Sequence, residues 1–418
     1  MILLARAIWA GKGNIIMNGA VQVCDNDLGV VGCSKQISPL TDEPIIDLGD
    51  SIILPAFVNS HCHLDYTGLA GRLKPGHSFT DWINQIIEVK RSLSGQEQEL
   101  SWLEGAEMMI KSGCGVVFNI ESVPGLFSRV IKQTPLKVCP FTELIGYDDL
   151  DNESLVDLAK HEFSLNSPLA MVTGLAPHSP YTTTAKGLNA LSEYANSEAM
   201  PITIHVSESA DEWDMFTSCS GPLFDKMKSL GRIMNDCGIQ SPIQHLNNLE
   251  KKALRTLVVH ANFLINEDFD FLSNPKMSVV HCPKSHSWFG YPEFKYKDLA
   301  KRGVNICLGT DSLASSGSTN LESEELNIFS EMREFKLKNP EIDIDDILEM
   351  ATCNGAKAIG LDHRFGRLRE GMLANFSIIP FPKRLSNVEE AIIAHKGSVS
   401  GLFIDGKQVF SRKNKIAD

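Results

Sequence analysis

The sequence predicts an α/β fold: a (β/α)8 TIM-like barrel joined to a small β-sandwich domain built from both chain ends. Three observations carry this expectation. The middle of the chain alternates strand-like and helix-like segments, the pattern of a parallel sheet wrapped by helices. Both ends are rich in short strand signals broken by turn residues. The histidines of the middle gather where candidate strands end, which is where such a barrel carries its chemistry. The expected boundaries are 1–55 and 366–418 for the β-sandwich and 56–365 for the barrel.

At 418 residues the chain exceeds the usual single-domain range unless it forms a barrel with additions. Its first residues, Met1 to Arg6, have no basic stretch ahead of the apolar ones and read as a first strand, not a signal peptide. Ile15 to Val23, Leu28 to Val31 and Ile45 to Leu48 follow as short β runs. The C-terminal end looks alike: Gly371 to Pro380, Gly397 to Phe403, and a hairpin turn signal at Asp405-Gly406 before Gln408 to Phe410.

Between these ends, candidate strands occupy 56–63, 115–120, 137–145, 170–177, 201–206, 256–261, 277–282 and 304–310. The first is fed by Ile52-Ile53-Leu54 through Pro55, so that the whole apolar run reads as one buried strand. Helical patterns lie between strands, as in Ser78 to Leu93, Glu97 to Ser112 and Thr184 to Ala199. Residues 209–250 carry no comparable pattern and fit either a cover over the barrel mouth or a solvated helical pair.

A net charge of -13 argues against a nucleic-acid or anionic-membrane surface, and no stretch approaches the roughly 20 apolar residues of a membrane span. The ten cysteines are scattered without a C-x-x-C pair, which suits buried thiols in a cytoplasmic protein better than a disulfide framework.

His61 and His63 close the first barrel strand. Side chains alternate along a strand, so the two imidazoles share a face while Cys62 points away. Such a pair can hold one metal ion. His178 ends strand four, His205 ends strand five with Glu208 three residues on, His260 and His281 end strands six and seven, and Asp311 follows strand eight. A lone histidine at a strand end is more often a packing residue than a ligand. Histidines at five strand ends, with an aspartate at a sixth, are not explained by packing. Histidines 77, 161, 245, 363 and 395 lack that placement.

The stretches PAFVNSHCHLD (55–65), APHSPYT (176–182), HVSES (205–209), VVHAN (258–262), VVHCPKSH (279–286) and LGTDSLAS (308–315) resemble the amidohydrolase superfamily, in its order and over nearly the whole chain. They are most similar to its metal-dependent nucleoside and nucleobase deaminase branch, which includes chlorohydrolases. The loop 63–83, the segment 281–294 and the segment 308–320 resemble the aminodeoxyfutalosine deaminases of menaquinone biosynthesis. Ser285-His286 departs from the Ser-Asn common in the wider branch.

The resemblance implies His61, His63, His205 and Asp311 as ligands of one divalent transition metal, zinc first and ferrous iron second. That donor set suits either ion with a position left for water. Binuclear relatives carry a bridging lysine at the end of strand four, and no lysine lies between Leu169 and Thr184. Glu208 is the expected proton shuttle, and His260 and Asp311 the groups that orient and deprotonate water. His178, His281 and His286 are expected substrate contacts, and Arg72 a partner for a substrate carboxylate. The implied reaction is hydrolytic deamination of a 6-aminopurine nucleoside derivative, 6-amino-6-deoxyfutalosine above all. The alternatives are S-adenosylhomocysteine, methylthioadenosine, adenosine or guanine deamination, chlorohydrolysis, and, remotely, an inactive scaffold. The expected partner is a small molecule, and a homo-oligomer is compatible with everything above.

Overall fold

The computed structural model describes residues 1–37, 43–74, 78–148, 152–247, 249, 254–316 and 325–412. His77, part of the loop after the first barrel strand and residues 317–320 of the last motif lie outside them. The N-terminal end forms β1 (Ile2–Gly11), β2 (Asn14–Cys24), β3 (Asp27–Cys33), β4 (Ile45–Asp47) and β5 (Ser51–Pro55). The barrel follows with β6 (Phe57–Cys62), β7 (Cys114–Glu121), β8 (Lys137–Leu144), β9 (Gly174–Pro177), β10 (Ile202–Val206), β11 (Thr256–His260), β12 (Met277–His281) and β13 (Asn305–Leu308). The chain returns to the first sheet with β14 (Phe376–Pro380), β15 (Gly401–Ile404) and β16 (Lys407–Ser411).

The terminal strands form one mixed sheet in the order β16-β15-β14-β5-β1-β2-β3, with β4 also paired to β1. Both chain ends therefore contribute to it. The β15–β16 hairpin turns at Asp405 and Gly406, both at positive φ (48° and 71°), as an Asp-Gly turn of this kind requires. The sheet has its own core, including Leu3, Ile8, Val21, Ile53, Phe376 and Phe403.

The apolar run from Ile52 to Val58 is not one strand. β5 pairs with β14 and β1 in the terminal sheet, whereas β6 pairs with β7 in the barrel. Ala56 is the switch point: its N–H donates to Asn375 O, and the next N–H, of Phe57, donates to Gly113 O. Continuous hydrophobicity hid the change because both strands are wholly buried.

β6 to β13 run parallel and neighbour one another in sequence order. Closure between β13 and β6 falls just beyond β13. The N–H groups of Thr310 and Asp311 both donate to His61 O, and the Asn59 side chain donates to Thr310 Oγ1 and accepts from the Thr310 N–H. Gly309 is needed at this seam, because a Cβ there would lie 2.9 Å from both Cβ and O of His61. β9 begins four residues later than the sequence suggests, leaving Met171 exposed.

The helices match the sequence pattern and its stop signals. Ser78, Ser94 and Thr184 cap the helices Phe79–Ser92, Gly95–Lys111 and Ala185–Ser197 through their side-chain oxygens. The barrel interior is filled by Val58, Phe118, Phe141, Val259 and Val280 among others. A larger apolar layer joins the strands to the surrounding helices. Among the described residues no helix is long and apolar enough to cross a membrane. All ten cysteines are free thiols and seven are buried.

Candidate metal centre and active-site cavity

His61 and His63 turn their rings to the same place, and Cys62 between them joins the outer apolar layer, as strand alternation requires. Nε2 of His205, at the end of β10, lies 3.2 Å from Nε2 of His61 and 3.3 Å from Nε2 of His63. Oδ1 of Asp311 stands 3.7 Å from Nε2 of both His61 and His63. All four residues are buried.

Ring nitrogens meeting in this way cannot satisfy one another. The Nδ1–H of His205 donates to His178 O at 2.9 Å, which leaves its Nε2 as a bare lone pair aimed at two other imidazole nitrogens. These are also the spacings left by a cation about 2.0–2.1 Å from each nitrogen. Three imidazoles and one carboxylate therefore fit a single divalent transition ion. Nδ1 of His61 and of His63 has no protein partner among the described residues.

Asp311 is held from two sides. Ser285 Oγ and Ser315 Oγ each donate to its Oδ2 at 2.8 Å, so Oδ1 is the oxygen left facing the histidines. Burial works against its charge, but the contact with His61 and the neighbouring imidazoles hold its carboxyl well below the usual carboxylate range. Burial keeps His63 and His205 well below the ordinary histidine value, so both are neutral and able to ligate.

His260 arrives by a backbone distortion that no periodicity reveals. Val259 faces the barrel interior and Val258 the outer layer, so alternation alone would send His260 outward. Its φ of 76°, followed by 48° at Ala261, turns the ring inward, where Nε2 lies 3.6 Å from Glu208 Oε1. Ser207 and Asp311 also have positive φ, 54° and 55°. Non-glycine residues at positive φ are costly and collect where geometry is functionally constrained.

Glu208 is fixed through its backbone: its N–H donates to Glu212 Oε2, and its carbonyl accepts from Asn262 Nδ2. Burial, with the charges of Asp311 and Glu212, pushes its carboxyl well above the ordinary glutamate value. Burial likewise brings His260 down to about 3.

These groups form the floor of a cavity whose walls are mostly apolar: Phe79, Trp82, Ile83, Ile86, Tyr181 and Met227. The cover comes from three helices, Phe79–Ser92, Ala210–Ser218 and Pro222–Ser229. Phe79, Tyr181, Met215, Phe216, Leu223 and Met227 form their shared core, and Thr80 donates twice to Asp211. Arg232, buried and paired with Asp236, ties the end of this cover to Pro180 O beside Tyr181. Of the two readings of residues 209–250, cover over the mouth describes residues 210–237, with Lys226 and Met227 lining the cavity.

His178 also lines the cavity, with Nδ1 2.8 Å from Thr182 Oγ1. Three expected substrate contacts are not brought there. Arg72 is exposed, because the 3-10 helix Leu64–Leu69 ends in a turn, with the Arg72 N–H on Leu69 O and Gly71 at positive φ, that carries the chain away from the cavity. His281 follows strand alternation outward, since Val280 takes the inner face, and stacks on Phe294 with ring centroids 3.9 Å apart. His286 sits with it in a separate cavity between β12 and the helix Ile328–Lys338.

Sequence reasoning passed over Lys90, Glu143 and Lys226, all on the cavity wall. Glu143 lies at the end of β8, so the strand-end rule that found the histidines applied to it as well. Lys90 is one of two adjacent cations, with Arg91, in the last turn of its helix, and only the fold shows that it faces inward.

The amidohydrolase family profile matches residues 52–409. The 5-methylthioadenosine/S-adenosylhomocysteine deaminase of Pyrococcus furiosus is 28% identical over 431 residues, covering 98% of this chain and 94% of that protein. The aminodeoxyfutalosine deaminase of Deinococcus radiodurans is 25% identical over 371 residues, covering 86% and 85%. Among solved structures, Helicobacter pylori aminofutalosine deaminase in complex with methylthio-coformycin superposes with a TM-score of 0.85 at 21% identity, over 98% of this chain and 100% of that one. A zinc-bound adenosine deaminase from Xanthomonas campestris gives 0.83 at 21% identity, over 98% and 92%.

Proposed function

The chain belongs to the amidohydrolase family, and from that premise we propose that it is a hydrolytic deaminase of adenosine-type nucleosides, with 6-amino-6-deoxyfutalosine of menaquinone biosynthesis as its substrate. The observation that carries the reading is the convergence of His61, His63, His205 and Asp311 beside Glu208 and His260, all but His61 of them lining the floor of one cavity. In this reading those four residues hold one divalent transition ion, zinc before iron. When bound, the ion supplies a Lewis acid that makes hydroxide accessible near neutral pH.

The chain's own groups do the rest. Asp311, fixed by two serines, accepts the proton of the attacking water, and His260 orients that water beside Glu208. Glu208 delivers a proton to the ring nitrogen next to the carbon that bears the amine. As the adduct collapses to the carbonyl, the proton taken up by Asp311 passes to the amine, which departs as ammonia, and Glu208 regains its own from the new hydroxyl. The aromatic and aliphatic walls exclude bulk water and take a flat ring.

For the substituent on the 5′ side, Lys226 on the cover offers a cation whose contact is the neutral Asn84 Oδ1. It takes the role expected of Arg72, partner to a substrate carboxylate. A second reading, methylthioadenosine or S-adenosylhomocysteine as substrate, is favoured by the relatives that carry those names.

The test is ammonia release from 6-amino-6-deoxyfutalosine, 5′-methylthioadenosine, S-adenosylhomocysteine, adenosine and guanine, with chloride release from a chlorinated triazine measured alongside, all at equal concentration. The first compound is expected to lead adenosine by about tenfold, which needs only about 1.4 kcal/mol. A lead for methylthioadenosine or S-adenosylhomocysteine replaces the substrate, and a lead for guanine or the triazine overturns the nucleoside reading.

A further inference from the structure

Two charged groups on the cavity wall take no part in the chemistry just described. Lys90, on the helix Phe79–Ser92, places Nζ 2.6 Å from Ser122 Oγ and 3.3 Å from Tyr66 OH. Both partners are neutral, and an ammonium has three N–H donors. Its charge also lies 5.0 Å from the centre of the Tyr66 ring, which stacks on His63 at 4.8 Å. Lys90 therefore stands one aromatic ring away from the histidine cluster.

Glu143 faces the same cavity from the end of β8. Its carboxylate makes no hydrogen bond or ion pair with any described residue, Lys90 included. Yet the two charges feel one another, and both also act on His178. Burial opposes the charge on Lys90, and Tyr66, Glu143 and Asp65 outweigh it, raising its pKa. The wall thus presents a donor with one N–H to spare and an acceptor with nothing to accept, beside a histidine whose Nδ1 is already engaged by Thr182.

We infer that Lys90 and Glu143 form a donor–acceptor pair that recognises the vicinal hydroxyls of the substrate's sugar, Glu143 accepting from one hydroxyl and Lys90 donating to the oxygen of the other. A vicinal diol is the chemical group that satisfies both at once: each hydroxyl both donates and accepts. A carboxylate alone would meet Lys90 but be repelled by Glu143. An apolar group would leave Glu143 desolvated without a partner and one N–H of Lys90 unused, which is costly. This pair sets specificity and does no bond-breaking, and its assignment rests on the nucleoside reading above.

The experiment measures kcat and KM of the metal-loaded enzyme with adenosine, 2′-deoxyadenosine and 2′,3′-dideoxyadenosine, for the wild type, Glu143→Gln and Lys90→Met. A site built to hydrogen-bond hydroxyls rejects analogues that lack them, so the wild type is expected to favour adenosine over the dideoxy compound by about 10²-fold or more in kcat/KM. Glu143→Gln, which keeps the shape of the side chain, should lower kcat/KM for adenosine by at least about tenfold, mostly through KM, and leave the dideoxy compound within about threefold. Lys90→Met should act in the same direction, and its metal content and melting temperature separate that effect from a loss of support for Tyr66. Equal losses on all three substrates, or a wild type indifferent to the hydroxyls, would overturn the pair. A wild type that deaminates no nucleoside, here or in the substrate panel, would instead overturn the reading on which it rests.

Discussion

The floor and the cover of the cavity are built on different terms. The floor is made of residues at the ends of parallel strands, each set by its own short segment and locked by backbone pairing to the next. The cover is made of helices brought together from residues 79–92 and 210–229, joined by side-chain contacts such as those of Thr80 with Asp211. The difference teaches where each job can sit. In the proposed reading, ligands and proton carriers need fixed positions and belong to the rigid floor, whereas the fit to a substituent belongs to the cover, which can change without disturbing them.

That contrast predicts a ranking. The largest effect belongs to Asp311→Ala on the floor, which should reduce ammonia release below detection and weaken retention of the ion against a chelator. Purified wild-type protein should carry about one ion per chain by elemental analysis. Two tightly held ions would contradict the four-ligand account.

Next come the serines behind Asp311. Ser285→Ala and Ser315→Ala each free one bond to Oδ2, and support of this kind is worth about 10–100-fold in metal affinity or activity. The double variant should lose more than either single one, and a chelator titration checks it. If both singles retain wild-type affinity, Asp311 is held by the backbone alone.

On the cover, Trp82 touches Phe79, Phe289 and Trp288 and donates to Ala314 O. Trp82→Ala should raise KM by roughly tenfold while kcat stays within about threefold, the signature of lost uniform binding. A fall in kcat with unchanged KM would mean that the cover positions the reacting ring itself. The smallest effect belongs to Arg72→Ala, expected within about 0.5 kcal/mol of wild type in stability and unchanged in kcat/KM.

The same contrast explains what the sequence discloses. His61, His63, His205, Glu208 and Asp311 are readable because strand alternation and strand ends are local properties. The seam at Ala56 is not, since two buried strands in different sheets make one uninterrupted apolar run. His260 was found by its position at a strand end, although only its positive φ explains how it reaches the floor. The same rule points to His281, which no distortion turns from its outward direction. The cover, with Lys90 and Lys226 in it, depends on contacts between segments far apart in the chain, and neither periodicity nor spacing encodes them.

The account turns on separating the proton carrier from the groups that hold the ion. The most direct test compares Glu208→Gln with wild type for ion content and ammonia release in the same preparations. The variant is expected to hold the ion at the wild-type ratio and to turn over roughly 10²-fold more slowly or worse, the scale of general acid–base catalysis. Turnover at the wild-type rate, or loss of the ion along with activity, would contradict the role given to Glu208.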